Sequence, residues 1–456
     1  MKVVTLTKSL IFGAVSVALV ASASGAPRAD ELLSYEQVWT KVRGESAGAR
    51  GADEELAAAR KAADRASRHW WPRGFADARA YTTDDAGLLL FSKLGSRSLS
   101  GSDLSPFAMN FPDGQVYQKA TLGAELPLFE GGAKVAESRF RQKMVRGREF
   151  EKEALLLSEY AETAGLYGAL LISDQQEKEL LPIQTLVAST IARYELGAKG
   201  NPVGYSGLLG LKNLSHRIEG ELEMIRARRD GARKALAEKA ELPAGWQPSG
   251  ASIPDFVADF LERGRYGRNG ALETSYAVSA QQVMADGLEE LKSAERARFL
   301  PRIALFAEGS YVSGNSVNAT AGTAGGFLQW ELFSAPSFGA VGQAELTAAA
   351  ARSRAEAARV RAASDFAKAE RVSRALRDQM RLADRSLALL EEQSEAARKL
   401  FLNGSINALQ LTEVFSRTVD LISAKAQMKE QYLNVNAQVI QLVPFEIPVV
   451  ADGGSV

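Results

Sequence analysis

Leu402-Asn403-Gly404-Ser405-Ile406 interrupts a stretch, Gln343 to Val443, that otherwise holds no proline and no other glycine. Before the interruption, apolar residues recur every seven positions: Leu376, Ala383, Leu390 and Ala397, with Met380, Leu387 and Phe401 beside them. After it the repeat resumes through Val414, Leu421, Met428, Val435 and Leu442, flanked by Leu411, Tyr432 and Val439. Seven-residue spacing keeps one helix face against a partner helix. A lone Asn-Gly between two such runs offers the positive φ at which a helix stops. The stretch therefore reads as two antiparallel helices with a tight turn. The first, Gln343 to Leu402, would be about 90 Å long at 1.5 Å per residue. An ordinary globular helix has about 11–12 residues, so this length points to a coiled coil or to a span between two distant places.

Working outward, the plan of the C-terminal half recurs in the N-terminal half. Leu122-Gly123-Ala124-Glu125-Leu126 aligns with Leu328-Gln329-Trp330-Glu331-Leu332, and Tyr194-Glu195-Leu196-Gly197 aligns with Phe401-Leu402-Asn403-Gly404. Each half reads as strand, loop, strand, bend, long helix, turn and return helix, so the internal repeat sets the architecture. In the first half the expected elements are a strand over Arg73 to Thr83, a loop over Asp84 to Gln115 and a strand over Val116 to Leu126. A bend at Pro127-Leu128-Phe129-Glu130-Gly131-Gly132 leads to a helix from Ala133 to Leu196, which Pro182 is placed to kink. A return helix covers Tyr205 to Ala240. In the second half the strands are Pro301 to Ser313 and Gly326 to Phe333, separated by a small-residue loop, Gly314 to Gly325. A charged, alanine-rich helix from Glu31 to Arg68 opens the first repeat, with Ser34 and Gln37 spaced for a capping box; Ser275 to Phe299 opens the second.

In Val116 to Leu126, Val116, Ala120, Leu122, Ala124 and Leu126 share one face, and Tyr117, Lys119, Thr121, Gly123 and Glu125 the other. A strand of about ten residues, apolar outside and polar inside, suits a transmembrane barrel; a half-buried strand of a soluble sheet has the same period. Four strands cannot close a barrel, since about eight is the small end, and open edges cannot face lipid. Three copies would supply twelve strands, and the same symmetry would gather the helical hairpins into a tube. Trp70-Trp71-Pro72, after the first helix, reads equally as an interfacial aromatic anchor or as core tryptophans at a helix end.

Composition narrows the function. The 456 residues are 46% hydrophobic and 24% charged, as in a folded chain. Lys+Arg and Asp+Glu both number 55, which gives no global signal for nucleic acid. The absence of cysteine removes disulfides, thiolate metal sites and a thiol nucleophile. Residues 1–26 read as a secretory signal: Lys2 and Lys8, an apolar core from Ile11 to Ala21, and small residues between Ala21 and Ala26 for cleavage. No later run of 18 apolar residues exists, so any membrane-crossing part is made of strands. His69 and His216 are far apart, and neither a phosphate loop nor a Gly-x-Ser-x-Gly motif occurs. No catalytic, cofactor or metal site is expected, and no energy-coupling site lies on the chain.

The duplicated order, the strand-to-helix bends (Pro127 to Gly132 and Leu332-Phe333-Ser334-Ala335-Pro336) and the aromatic-x-x-Gly tips together resemble the TolC-like outer membrane efflux protein family. The fold class so implied is mainly α with a small β part, a homotrimer with an α-helical periplasmic tunnel and a 12-stranded barrel in outer-membrane lipid. The expected domains are 1–26 signal peptide, 27–242 first repeat, 243–270 linker, 271–443 second repeat and 444–456 tail. The resemblance implies a passive exit duct of tripartite efflux or type I secretion, coupled through a periplasmic adaptor (membrane fusion protein) to an inner-membrane pump. It places the adaptor-contacting tips at Leu196, Gly197, Asn403 and Gly404. Asn403 stands where the family has an apolar residue, and the first tip carries the extra residues Lys199 to Pro202. The acidic constriction of some family members falls on Gln410 and Glu413. Glu125 and Glu331 are the candidates for the barrel lumen, as pore lining or as an interior salt bridge. The competing reading is a periplasmic coiled-coil adaptor or scaffold without a barrel.

Overall fold

The computed structural model describes residues 32–194, 202–243, 245–262, 275–314, 317–445 and 447. A two-residue strand β1 (Leu32–Leu33) leads to α1 (Tyr35–Glu45) and α2 (Ala47–Ser67). The single helix expected over Glu31 to Arg68 is thus divided. Ser46 takes an extended conformation between the two pieces, and its side chain caps the second by accepting from the Ala49 amide. At the front end Ser34 and Gln37 form the expected reciprocal capping box.

The sheet follows: β2 (Arg73–Thr83), an insert carrying α3 (Ala86–Gly95) and α4 (Pro106–Asn110), then β3 (Gln115–Glu130). The insert, expected as an irregular loop, is therefore largely helical. α5 (Ala133–Tyr194) runs 62 residues, about 93 Å, and Pro182 sits inside it without ending it. α6 (Pro202–Lys239) returns. The linker region carries β4 (Gln247–Pro248), α7 (Ile253–Val257) and one π turn to Glu262. The second repeat is α8 (Tyr276–Ala297), β5 (Arg302–Gly314), β6 (Val317–Gln329), α9 (Ala335–Leu402, 68 residues) and α10 (Ala408–Leu442).

The four long strands form one antiparallel sheet in the order β2-β3-β5-β6, and among the described residues the outer edges of β2 and β6 have no partner. Leu122 stands opposite Ala76 and Gly309, and Ala120 opposite Ala78 and Tyr311, so the apolar residues of three strands share a face. Thr121 stands opposite Asp77 and Ser310, and Lys119 opposite Arg79, so the other face is polar. Leu122 is 72% exposed on the apolar side. Gly314 to Gly325, expected as a loop, is mostly strand: Val317 to Gly325 pair residue for residue with β5. Small side chains hide a period-2 pattern, and the pairing is supplied by β5. Gly325 and Gly326 let the sheet accommodate Phe306 and Leu305, since a Cβ at either would sit 3.2 Å from those side chains.

The corner between β3 and α5 needs its glycines. Gly131 and Gly132 have φ of +66° and +86°, and a Cβ on Gly131 would lie 2.2 Å from the Ala297 carbonyl oxygen. The corresponding corner in the second repeat has no such pair; Trp330 to Ser334 make the passage and Pro336 lies in the first turn of α9.

Two apolar clusters hold the helices. Around the middle, Tyr35 packs edge-on to Tyr160, Tyr167, Phe256 and Phe260, and both Tyr35 and Tyr160 donate their hydroxyls to backbone carbonyls. Nearer the hairpin ends, Leu180, Val187, Leu211, Ile218, Leu387, Leu411, Phe415 and Val419 form a second cluster. On α9 the buried residues Ala348, Ala355, Ala369, Leu376, Ala383 and Ala397 fall on a seven-residue register. This narrow stripe contacts α8 and then α10, and leaves the rest of the helix uncovered. On α10 the deepest seam is Leu411, Phe415, Thr418, Ile422, Lys425, Lys429, Tyr432, Asn436 and Val439. The expected stripe through Val414, Leu421 and Val435 lies one residue aside and is half-buried. Among the described residues no helix is long and apolar enough to cross a membrane.

Candidate functional site

At the second hairpin tip, Asn403 ends α9 in a helical conformation and Gly404 turns the chain at φ +74°. The Gly404 amide donates to the Phe401 carbonyl (3.0 Å) and the Ser405 amide to the Leu400 carbonyl (2.9 Å), so the turn uses the carbonyls that the helix end leaves open. Among the described residues no heavy atom lies within 4 Å of where a Gly404 Cβ would stand. The tip glycine is demanded by conformation, with open space in front of it. Phe401 meets Tyr194 across the two hairpins with ring centroids 5.5 Å apart. Leu196 and Gly197, the other expected tip residues, lie outside the described residues.

Gln410 is a capping residue. Asn407 caps α10 by accepting from the Gln410 amide (2.9 Å), and the Gln410 carboxamide accepts from the Asn407 amide (3.1 Å). A side chain folded back on its own helix start is poorly placed to narrow a pore. The Asn407-x-x-Gln410 spacing is legible in the sequence as a capping box. Glu413, one turn on, is exposed and accepts from Arg417 Nε at 2.9 Å. An exposed i,i+4 pair of this kind is a weak tether.

Along the sheet, Glu125 lies on the polar face, opposite Arg73. Its carboxylate is paired with Arg302 of β5, which also reaches Glu130 (3.5 Å). The pairing with Arg302 is the contact that an interior salt bridge would make. Arg65, Arg73, Arg141 and Arg302 join these carboxylates around a cavity of about 570 Å³ where the sheet meets the helices. Glu331 lies beyond the end of β6, exposed in the segment leading to α9, and is not the strand equivalent of Glu125. The second repeat ends its strand earlier, so the sequence offset does not carry over to the structure. Trp70 and Trp71 are 60% and 55% exposed, so neither is a core tryptophan of the chain.

Sequence reasoning missed the most unusual charges. Lys425 and Lys429 occupy successive turns of the α10 seam and are 7% and 6% exposed. Lys425 Nζ is 2.8 Å from Asp384 of α9 and 3.3 Å from Glu179 of α5. Burial alone would pull its pKa down, but these two carboxylates more than offset it and the net shift is upward. Lys429 Nζ donates to Gln175 Oε1 of α5 at 2.7 Å. Burial, reinforced by the neighbouring Lys425 charge, lowers its pKa to about 8. Asn436, fully buried, accepts from Ser373 of α9 and donates to the Tyr432 carbonyl. Polar residues at buried seam positions fix helix register; spacings of four and three from Leu411 would have located them.

Residues 268–443 match the model of the family described as outer membrane efflux protein. The match covers the second repeat, and the first repeat reproduces its order of strands and hairpin. The whole fold is similar to that of solved outer membrane channels. The CusC channel aligns at TM-score 0.75 and 14% identity over 93% of this chain and 95% of that one. VceC from Vibrio cholerae aligns at 0.72 and 17% identity, over 91% and 97%. The CmeC outer membrane channel of Campylobacter jejuni aligns at 0.72 and 14% identity, over 90% and 85%. No curated sequence matches significantly. Among the described residues no cluster of three His, Asp or Glu could hold a metal.

Proposed function

We propose that three copies of this chain form a passive duct from the periplasm to the exterior. The observation that carries this is the sheet: four strands, one apolar face, one polar face, and two bare edges at β2 and β6. Such edges cannot stand in lipid. Joining β6 of one subunit to β2 of the next removes them and gives twelve strands, an even number within the range for outer-membrane barrels. Leu346, Val360, Leu382 and Leu389 are each at least 55% exposed on α9 and supply apolar surface for neighbouring subunits below the barrel. The two repeats, 27–242 and 271–443, then contribute equivalent walls, with 243–270 as an equatorial segment.

The tips, Leu196, Gly197, Asn403 and Gly404, are the surface offered to a periplasmic adaptor, and energy comes from an inner-membrane pump reached through it. Three Glu413 carboxylates would draw cations to the mouth; Gln410 serves its helix cap. Glu125 lines the lumen as part of an ion pair with Arg302. A periplasmic adaptor would carry one helical hairpin among many short strands, whereas two hairpins and four long strands favour the duct. Fractionation tests the reading: a heat-sensitive trimer in detergent-extracted outer membrane supports it, and a soluble periplasmic monomer sinks it.

A further inference from the structure

The insert between β2 and β3 packs against one face of the sheet, and that face is the polar one. Tyr81 and Tyr117 are paired across β2 and β3 and stand on the same side as Asp77, Arg79 and Lys119. Although it points into what would be open lumen, Tyr117 is only 1% exposed. α3 covers this end of the sheet: the Tyr81 and Ser92 hydroxyls are 2.9 Å apart, and Gly95 approaches Val312 of β5. Past the helix, Arg97 turns the chain at φ +56° and donates to the Thr320 carbonyl of β6 (3.4 Å). The insert thus reaches every strand of its sheet from the inside. An ion pair, Lys93 to Asp103 at 2.8 Å, ties α3 to the following turn.

α3 has two distinct faces. Leu89, Ser92 and Ser96 are buried against the wall, whereas Phe91 is 71% exposed on the opposite side. Phe107 and Phe111, from the rest of the insert, are 75% and 71% exposed. Phe91, opposite the buried face of α3, is directed away from the wall, and Phe107 and Phe111 add exposed aromatic surface to the same insert.

We propose that the three inserts of the trimer meet at the axis through Phe91, Phe107 and Phe111 and close the outer mouth of the barrel. The proposal rests on the duct reading. Its occupant for the apolar face is a second copy of the same insert, because the bore leaves no room for anything else. Twelve strands about 4.8 Å apart and tilted by about 40° give a barrel roughly 24 Å across. A helix with its side chains is about 10–12 Å wide. Three of them against the inner wall fill most of that cross-section. Export then requires the inserts to lift, and an apolar ring gates by excluding water.

The chain has no cysteine, so Phe91→Cys places a single thiol in each subunit. Phe91 is exposed, so the substitution should leave the fold intact, and trimers on a gel verify that. Purified trimers are reconstituted in planar bilayers. A short bis-maleimide should link Phe91→Cys subunits covalently and lower single-channel conductance below that of the unlinked variant. The triple variant Phe91→Ser, Phe107→Ser, Phe111→Ser should conduct at least about twofold more than wild type. Two results overturn the gate while leaving the duct: intact trimers that neither cross-link nor change conductance, or a probe on Cys-substituted position 91 that is quenched by spin-labelled lipid, which would put the insert in the outer leaflet. Trimers of the triple variant that, like the wild type, form no channel at all would overturn the duct, and the gate with it.

Discussion

Replacing Lys429 by methionine should stabilise the protein at neutral pH and abolish one part of its pH dependence. The ammonium sits in the α10 seam with a pKa near 8 in place of 10.5. A lowered lysine pKa means that the folded state resists the proton that the unfolded chain accepts. Below pH 8 both states carry it, and the folded state bears the full penalty. Between about pH 8 and 10.5 only the unfolded chain binds the proton, so wild-type stability rises with pH there. The shift corresponds to about 3 kcal/mol per subunit. Methionine has nearly the same length and carries no charge, so that penalty disappears. The bond to Gln175 Oε1 is lost with it, at a cost of about 1 kcal/mol. A net gain of about 2 kcal/mol at pH 7 should shrink and then reverse sign as pH approaches 10.5. The assay is the temperature at which the trimer dissociates in detergent, measured for both proteins from pH 6.5 to 10.5. Groups that titrate in both cancel in the difference. Parallel curves across that range would refute the assignment of a strained charge to Lys429. Lys425→Met should act in the opposite direction, because it strands Asp384 and Glu179, and it should raise the pKa of Lys429 by removing a like charge.

Three further outcomes are expected. Gly131→Val forces a β-branched side chain into φ +66° and against the Ala297 carbonyl; a loss of several kcal/mol should appear as failure to accumulate trimer in membranes. Gly404→Val meets no neighbour and strains only the turn by about 1–2 kcal/mol, so trimers should form normally while export falls; unchanged export would count against the tip as a docking surface. Asn436→Leu leaves the Ser373 hydroxyl without its partner and should cost about 1–3 kcal/mol, seen as a lower dissociation temperature with barrel insertion unaffected.

The long helices and three of the strands, β2, β3 and β5, were legible because their signals are local and repeated. Pro72 and the Asp84-Asp85 pair bracket β2, and Val116 to Leu126 alternate without interruption. β6 was hidden because Val317 to Gly325 holds mostly small side chains, and its pairing is dictated from β5. The insert helices are too short for a period to show, and their order comes from the wall they cover. At the tip, the Asn-Gly turn was readable, yet Gln410 was assigned by family position when its nearer obligation was to the Asn407 cap. The polar seam of α10 escaped notice because attention to the apolar stripe through Val414 and Leu421 settled one residue away from the true contact line. Glu125 and Glu331 matched in sequence, but the two repeats end their strands at different points.

The bare flanks of β2 and β6 have a consequence for the cell. In the proposed duct a lone subunit has no resting place in the bilayer, so insertion and threefold assembly are completed together, and yield should climb steeply with subunit supply. Co-expression of a defective subunit at equal dose would leave only about one intact ring in eight. Loss-of-function alleles at these seams should therefore behave as dominant ones.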